Sequence, residues 1–191
     1  MKRGKMGVDI SRALSLTGPD GIQTGGNYYW WLAEQASTRD LIVEVGSWVG
    51  GSARAMADNT AGTVVCVDPW AKTVDMDEGG CWKGRTDPEW LWKTFQRNME
   101  GLDNVVPMRM TSMEGARWLR TMRFDMIFLD AAHDFASVEA DVNAWRPLLA
   151  PGGLFCGHDW AWPSGGPHDV AEFVRITGGY PVGVDSLWIG A

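Results

Sequence analysis

Short, unbroken apolar runs alternate with amphipathic stretches along this chain. Leu41-Ile42-Val43-Glu44-Val45 and Thr63-Val64-Val65-Cys66-Val67 are β-branched and continuous, the pattern of strands covered on both faces. Between them, residues 52–58 are rich in alanine and arginine, opened by glycines and closed by Asn59-Thr60-Ala61-Gly62, so a helix is expected between two parallel strands. A second helix is expected from Pro88 to Met99, with Asp87 as N-cap and Pro88 as its first residue. A strand near Val105 to Met110, a helix near Met113 to Thr121 and a strand from Phe124 to Leu129 follow. Phe135 to Leu149 reads as helical, Pro151-Gly152-Gly153 as its break, Leu154 to Gly157 as another strand, and the region around Asp169 to Ile176 as a helix. Residues 182–189 read as one or two short strands closing the sheet edge as a hairpin.

This alternation predicts an α/β fold: a Rossmann-like, doubly wound, mostly parallel sheet with helices on both faces and a short C-terminal β-hairpin. One domain is expected over residues 1–191, with residues 1–24 as a helical or irregular extension and the polar, glycine-bearing segment 71–86 as a candidate lid. Ligands of such sheets bind outside the carboxyl ends of the strands, which directs attention to the strand-end residues.

Composition narrows the partners. A formal net charge of −7 disfavours phosphate backbones and anionic membrane surfaces, so neither nucleic acid nor membrane is expected. Cys66, Cys81 and Cys156 lack CxxC spacing and read as reduced thiols of a cytoplasmic protein, and no apolar run reaches the roughly 18 residues of a membrane span. The 12 tryptophans fit either core packing or binding platforms, and Trp70, Trp82, Trp160 and Trp162 fall where they could stack against an acceptor. A homo-oligomer is compatible with all of this.

The first strand runs into Glu44-Val45-Gly46-Ser47-Trp48-Val49-Gly50-Gly51-Ser52, a glycine turn leading into a helix. A dinucleotide loop wants glycine where Trp48 stands, which disfavours a nicotinamide or flavin cofactor. S-adenosylmethionine (SAM) has no pyrophosphate and carries a sulfonium and an ammonium, for which Glu44 offers a carboxylate. Asp68 ends the second strand and can accept from the ribose hydroxyls. Ser112, after the third, either lines the adenine pocket or caps the next helix. The expected cofactor residues are Glu44, Gly46, Ser47, Gly50, Ser52, Asp68, Ser112 and Asp130.

The fourth strand ends in Asp130-Ala131-Ala132-His133 and the fifth in His158-Asp159, on the same sheet edge. Asp130 and Asp159 can hold a hard divalent cation such as Mg²⁺, which would orient and acidify a hydroxyl, while His133 removes its proton as the oxygen attacks the SAM methyl.

At these residues the sequence resembles class I SAM-dependent methyltransferases, the group that includes metal-dependent sugar O-methyltransferases of macrolide biosynthesis and cephalosporin-hydroxylase-like proteins. The resemblance covers roughly residues 25–166. It rests on Ile42 to Ser52, Val67-Asp68-Pro69-Trp70, Phe128 to Phe135, and the stretch from Asp141 through Pro151-Gly152-Gly153 to Gly157-His158-Asp159. It implies SAM held by Glu44, Gly46 and Asp68, a metal held by Asp130 and Asp159, and His133 as base. Some members carry a second acid just before the final Asp, where this chain has His158, which is therefore the third candidate ligand. The expected activity is O-methylation of a small hydroxylated acceptor, a sugar or natural product. The alternatives are a metal-independent N- or O-methyltransferase and a non-catalytic SAM- or nucleoside-binding module.

Overall fold

The computed structural model describes residues 7–16, 26–71, 87–160, 170–184 and 186–190. The expected lid, with Cys81 and Trp82, lies outside them except for residue 71, as does Trp162. Five parallel strands carry the fold: β1 (Leu41–Val45), β2 (Thr63–Asp68), β3 (Val105–Arg109), β4 (Phe124–Leu129) and β5 (Leu149–Gly157). Two short strands follow, β6 (Tyr180–Pro181) and β7 (Trp188–Ile189), and among the described residues one sheet forms in the order β3-β2-β1-β4-β5-β7-β6. The C-terminal hairpin exists as expected, but β7 pairs antiparallel with β5 and leaves β6 at the edge.

The helices are α1 (Ser11–Leu14), α2 (Tyr28–Ala36), α3 (Gly51–Ala57), α4 (Pro88–Asn98), α5 (Ser112–Trp118), α6 (Phe135–Trp145) and α7 (Val170–Ile176), with a 3₁₀ turn at Arg146–Leu148. Successive residues of a strand point to opposite faces. Ile42, Val64, Met126 and Phe128 therefore join one core with Leu32, Met56 and Phe95 of α2, α3 and α4. Val43, Val65, Ile127 and Leu129 join the other with Ala116, Trp145 and Phe173 of α5, α6 and α7. Both faces are covered, which is why the strands read as continuous apolar runs rather than as alternating ones.

Local chemistry sets the helix starts. Asp87 Oδ1 accepts from the amides of Glu89 and Trp90 at 2.8 and 3.3 Å, with Pro88 at the first position. For α5 the cap is Thr111, in a reciprocal capping box with Glu114, so the capping role considered for Ser112 belongs to its neighbour. Pro151-Gly152-Gly153 is not a break before a strand but part of β5, which starts at Leu149. The register against β4 slips between Leu149 and Leu154, and Gly152 takes φ +77° to make that irregularity. Helix α2, carrying Tyr28 to Ala36, has no counterpart in the sequence expectation.

The order of the strands decides where a ligand can sit. From β1 the chain crosses to β2 on one side, and β4 pairs on the other, so the crevice between the ends of β1 and β4 is the topological switch point.

Candidate active site

The loop after β1 lies in that crevice. Gly46 adopts φ +88°, and a Cβ there would lie 2.1 Å from the carbonyl oxygen of Asp130, so only glycine lets the ends of β1 and β4 meet. Trp48 and Gly50 also take left-handed backbone angles, φ 44° and 89°. Glu44, one residue before the end of β1, is fully buried. One of its oxygens accepts the Ser52 hydroxyl, while Oε2 has no hydrogen-bond partner among the described residues. Burial pushes the carboxyl up from 4.5 to about 8, a rise held back by the Ser47 and Ser52 hydroxyls. A buried acid with an unused oxygen, at the mouth of a glycine turn, is a ready partner for a cation.

Asp68 ends β2. Its Oδ2 accepts the backbone amides of Ser47 and Trp48 at 3.0 and 2.8 Å, and its Oδ1 that of Trp70 at 2.6 Å. Burial raises its carboxyl above the ordinary value, and these three donors oppose the rise. Trp70 is 1 % exposed and packs on Trp92 and Phe95 of α4, so it is a core residue rather than a platform for an acceptor. Ser112 is committed elsewhere too: its hydroxyl donates to Asp141 and accepts from the Trp145 indole at 2.8 Å, tying the start of α5 to α6.

The second group of residues converges as the strand ends require. His133 Nε2 lies 2.7 Å from Asp159 Oδ2, and His158 Nδ1 lies 3.2 Å from Asp159 Oδ1 and 3.8 Å from Asp130 Oδ1. Donor atoms of Asp130, His133 and Asp159 lie within 4.8 Å of one another, so these three form a potential ligand set among the described residues, with His158 alongside. Asp159 is buried at φ 64°, and the two imidazoles hold its carboxylate well below the usual range against the opposing effect of burial. Asp130 is pushed the other way, to about 7, by burial together with the neighbouring Asp159 charge. Backbone bonds fix both loops: the Asp130 amide donates to Val45 at 2.8 Å and the His158 amide to Leu129 at 3.0 Å.

Tyr28, at the start of α2, packs its ring on His158 with centroids 4.4 Å apart, and burial, then Tyr29 and the charges of Asp130 and Glu44, push its phenol well above the ordinary value. Sequence reasoning missed it. The signal was the aromatic run Tyr28-Tyr29-Trp30-Trp31-Leu32, in which Tyr29, Trp31 and Leu32 are buried. Trp160 follows the site and lies under the Arg175 guanidinium, 5.7 Å from the ring centroid.

Residues 43–160 match the family described as a methyltransferase domain. No curated protein sequence matches the chain. Among solved structures, an O-methyltransferase from Bacillus cereus in complex with SAH is 17% identical, with 87% of this chain and 81% of that one aligned at a TM-score of 0.64. The O-methyltransferase TomG from Streptomyces achromogenes, involved in tomaymycin synthesis and solved with SAM, is 16% identical, covering 92% and 80% of the two chains at 0.61. A precorrin-6y C5,15-methyltransferase from Geobacter metallireducens is 13% identical, covering 86% and 78% at 0.59. At such identities the likeness concerns the fold. Among the described residues no helix is long and apolar enough to cross a membrane.

Proposed function

The chain belongs to the methyltransferase-domain family and is a SAM-dependent methyltransferase of class I fold; on that premise we propose that it methylates a hydroxyl oxygen of a small acceptor, a sugar or natural product. The observation that carries this reading is the 2.7 Å contact between His133 and the buried Asp159, beside Asp130 and across the switch point from the cofactor loop. Glu44 pairs with the positive end of the cofactor, and Gly46 and Gly50 let its backbone approach. The acceptor oxygen attacks the methyl carbon in line: the O–C bond forms, the S–C bond breaks, and S-adenosylhomocysteine (SAH) leaves with the electron pair. Asp159 orients the His133 imidazole, which takes the hydroxyl proton, and the ionised Asp159 stabilises the imidazolium that results.

Asp130 and Asp159, with the His158 imidazole 3.8 and 3.2 Å from them, are a donor set that suits a divalent cation, and a half-buried and a buried acid side by side favour an ion that neutralises them. Asp130 and Asp159 would hold it with His158 beside them, and a bound Mg²⁺ or another divalent ion would orient and acidify the acceptor hydroxyl. A metal-independent methyltransferase is favoured by the same His133–Asp159 contact, because a carboxylate-oriented histidine serves as a base without a metal.

Calorimetric titration of SAM, and of NAD⁺ as control, tests the cofactor with Mg²⁺ and with chelator present. An acceptor screen with methyl-labelled SAM then tests the chemistry. Saturable SAM binding, with turnover that chelator removes and Mg²⁺ restores, is expected. Turnover indifferent to chelator would select the metal-independent form, and NAD⁺ binding without SAM binding would overturn the proposal.

A further inference from the structure

Helix α2 is held by its apolar face, and its first residue reaches past that face to the site. Tyr29, Leu32, Ala33 and Ala36 are buried, and Tyr29 clusters with Ala13 of α1 and Ala55 of α3, the helix that follows the glycine turn. Tyr28 lies edge-on to Tyr29, with ring centroids 4.8 Å apart, and its ring meets the His158 imidazole at 4.4 Å and a tilt of 31°. The backbone of His158 is fixed from both sides: its amide donates to Leu129 at 3.0 Å and its carbonyl accepts the Trp188 indole at 2.7 Å. The imidazole can still turn about two side-chain torsions, the second of them broad. Its Nδ1 faces Asp159 Oδ1 at 3.2 Å and Asp130 Oδ1 at 3.8 Å. Those acids select which way round the ring sits, because a ring nitrogen and not a ring carbon pairs with a carboxylate, but they leave the tilt of its plane loose. An aromatic ring laid against the imidazole restricts that tilt. The tilt matters beyond His158 because Asp159 is shared: its other oxygen lies 2.7 Å from His133 Nε2.

We propose that Tyr28 is a positioning residue of this site: its ring fixes the plane of His158, and through His158 it keeps the Asp159 carboxylate in register with His133. The aromatic ring carries the role and the hydroxyl does not, because the contact is ring on ring. The N-terminal helices thereby belong to the framework of the site, since α2 leans on the helix behind the cofactor loop while its first residue steadies the ends of β4 and β5. The kinetic consequence rests on the methyltransferase reading above, whereas the positioning itself rests on this chain's own geometry.

Carbon-13 relaxation of the His158 ring in the cofactor-free protein reads the positioning without any turnover, with the resonance assigned by its loss in His158→Gln. The ring is expected to be ordered in the wild type and in Tyr28→Phe, and to gain motion in Tyr28→Leu. A ring already mobile in the wild type, or equally ordered in Tyr28→Leu, overturns the proposal. Should Tyr28→Leu fail to fold, nuclear Overhauser contacts between the Tyr28 and His158 rings of the wild type decide: their presence with an ordered imidazole supports the proposal and their absence overturns it. Transfer of labelled methyl to the acceptor found by screening reads the consequence. Tyr28→Phe should stay within about twofold of the wild type, and Tyr28→Leu should lose about 3- to 10-fold in kcat with KM for SAM unchanged. A loss as large in Tyr28→Phe would assign the role to the hydroxyl, and a change confined to KM for SAM would make Tyr28 a cofactor contact; either result overturns the proposal. A wild-type protein that neither binds SAM nor transfers methyl would remove the methyltransferase reading, while ring order still decides the place of Tyr28.

Discussion

Glu44 makes the cofactor-free protein sensitive to pH in a direction that can be worked out in advance. Its carboxyl is raised from 4.5 to about 8 by burial, so at pH 7 only about one-tenth of the molecules carry the charge. Below pH 4.5 the folded and unfolded chains both hold this proton. Between 4.5 and 8 the unfolded chain has lost it and the folded chain keeps it, so stability falls as pH rises, by on the order of 5 kcal/mol across the window. Above about 8 the loss is complete. Asp130, raised to about 7, slopes the same way, whereas Asp159, lowered, is already ionised in both states throughout and adds no slope. Glu44→Gln isolates the Glu44 share: it retains an oxygen for the Ser52 hydroxyl but has nothing to titrate.

Urea unfolding of wild type and Glu44→Gln at half-unit steps from pH 5 to 9 should give curves that diverge steadily, with the variant the more stable by pH 8. A cationic cofactor reverses the balance, because its ammonium favours the ionised carboxylate. SAM binding at pH 7 should therefore release close to one proton, visible as a binding enthalpy that depends on the buffer's ionisation heat, and the release should vanish in Glu44→Gln along with much of the affinity. Parallel unfolding curves for the two proteins, or SAM binding without proton release, would refute the assignment of Glu44 as a buried, cofactor-paired acid.

Other substitutions test other parts of the site. His133→Ala should leave SAM affinity within about threefold and lower turnover about 10²–10⁴-fold, measured by transfer of labelled methyl to whichever acceptor the screen identifies. Gly46→Ala places a methyl 2.1 Å from the Asp130 carbonyl oxygen at φ +88°, so it should destabilise the fold by about 3 kcal/mol or more and abolish SAM binding, read by urea unfolding and calorimetry. Ser112→Ala strips the buried Asp141 of its hydroxyl donor and should cost about 1–3 kcal/mol in urea unfolding, with the loss easing at low pH where Asp141 is protonated.

Much of this molecule is legible in its sequence because the information is local. Strand β4 runs from Phe124 to Leu129 as its apolar run predicts, and Asp87 caps α4 because a carboxylate reaches amides two and three residues on. The glycine turn after β1 and the acids at the ends of β2, β4 and β5 could be placed at one sheet edge from alternation alone, since parallel strands all end on the same side. Helix α2 escaped because its face is broad and aromatic, with a weak helical period, and Tyr28 escaped with it. Pro151 and the glycines after it were misplaced because a strand irregularity and a helix stop use the same residues.

What the tertiary structure decided is which donor meets which acceptor. Asp68 as a residue at the cofactor edge follows from the sequence, but its oxygens facing loop amides 20 and 21 residues away follow only from the register of β1 on β2. Ser112 looks like a cap until α6 brings Asp141 to it, and His133 gains a carboxylate partner only when β5 delivers Asp159. Periodicity and capping act over a few residues and are written in the chain, whereas lone pairs are shared out across strands, where register and strand order determine which groups lie within about 3 Å.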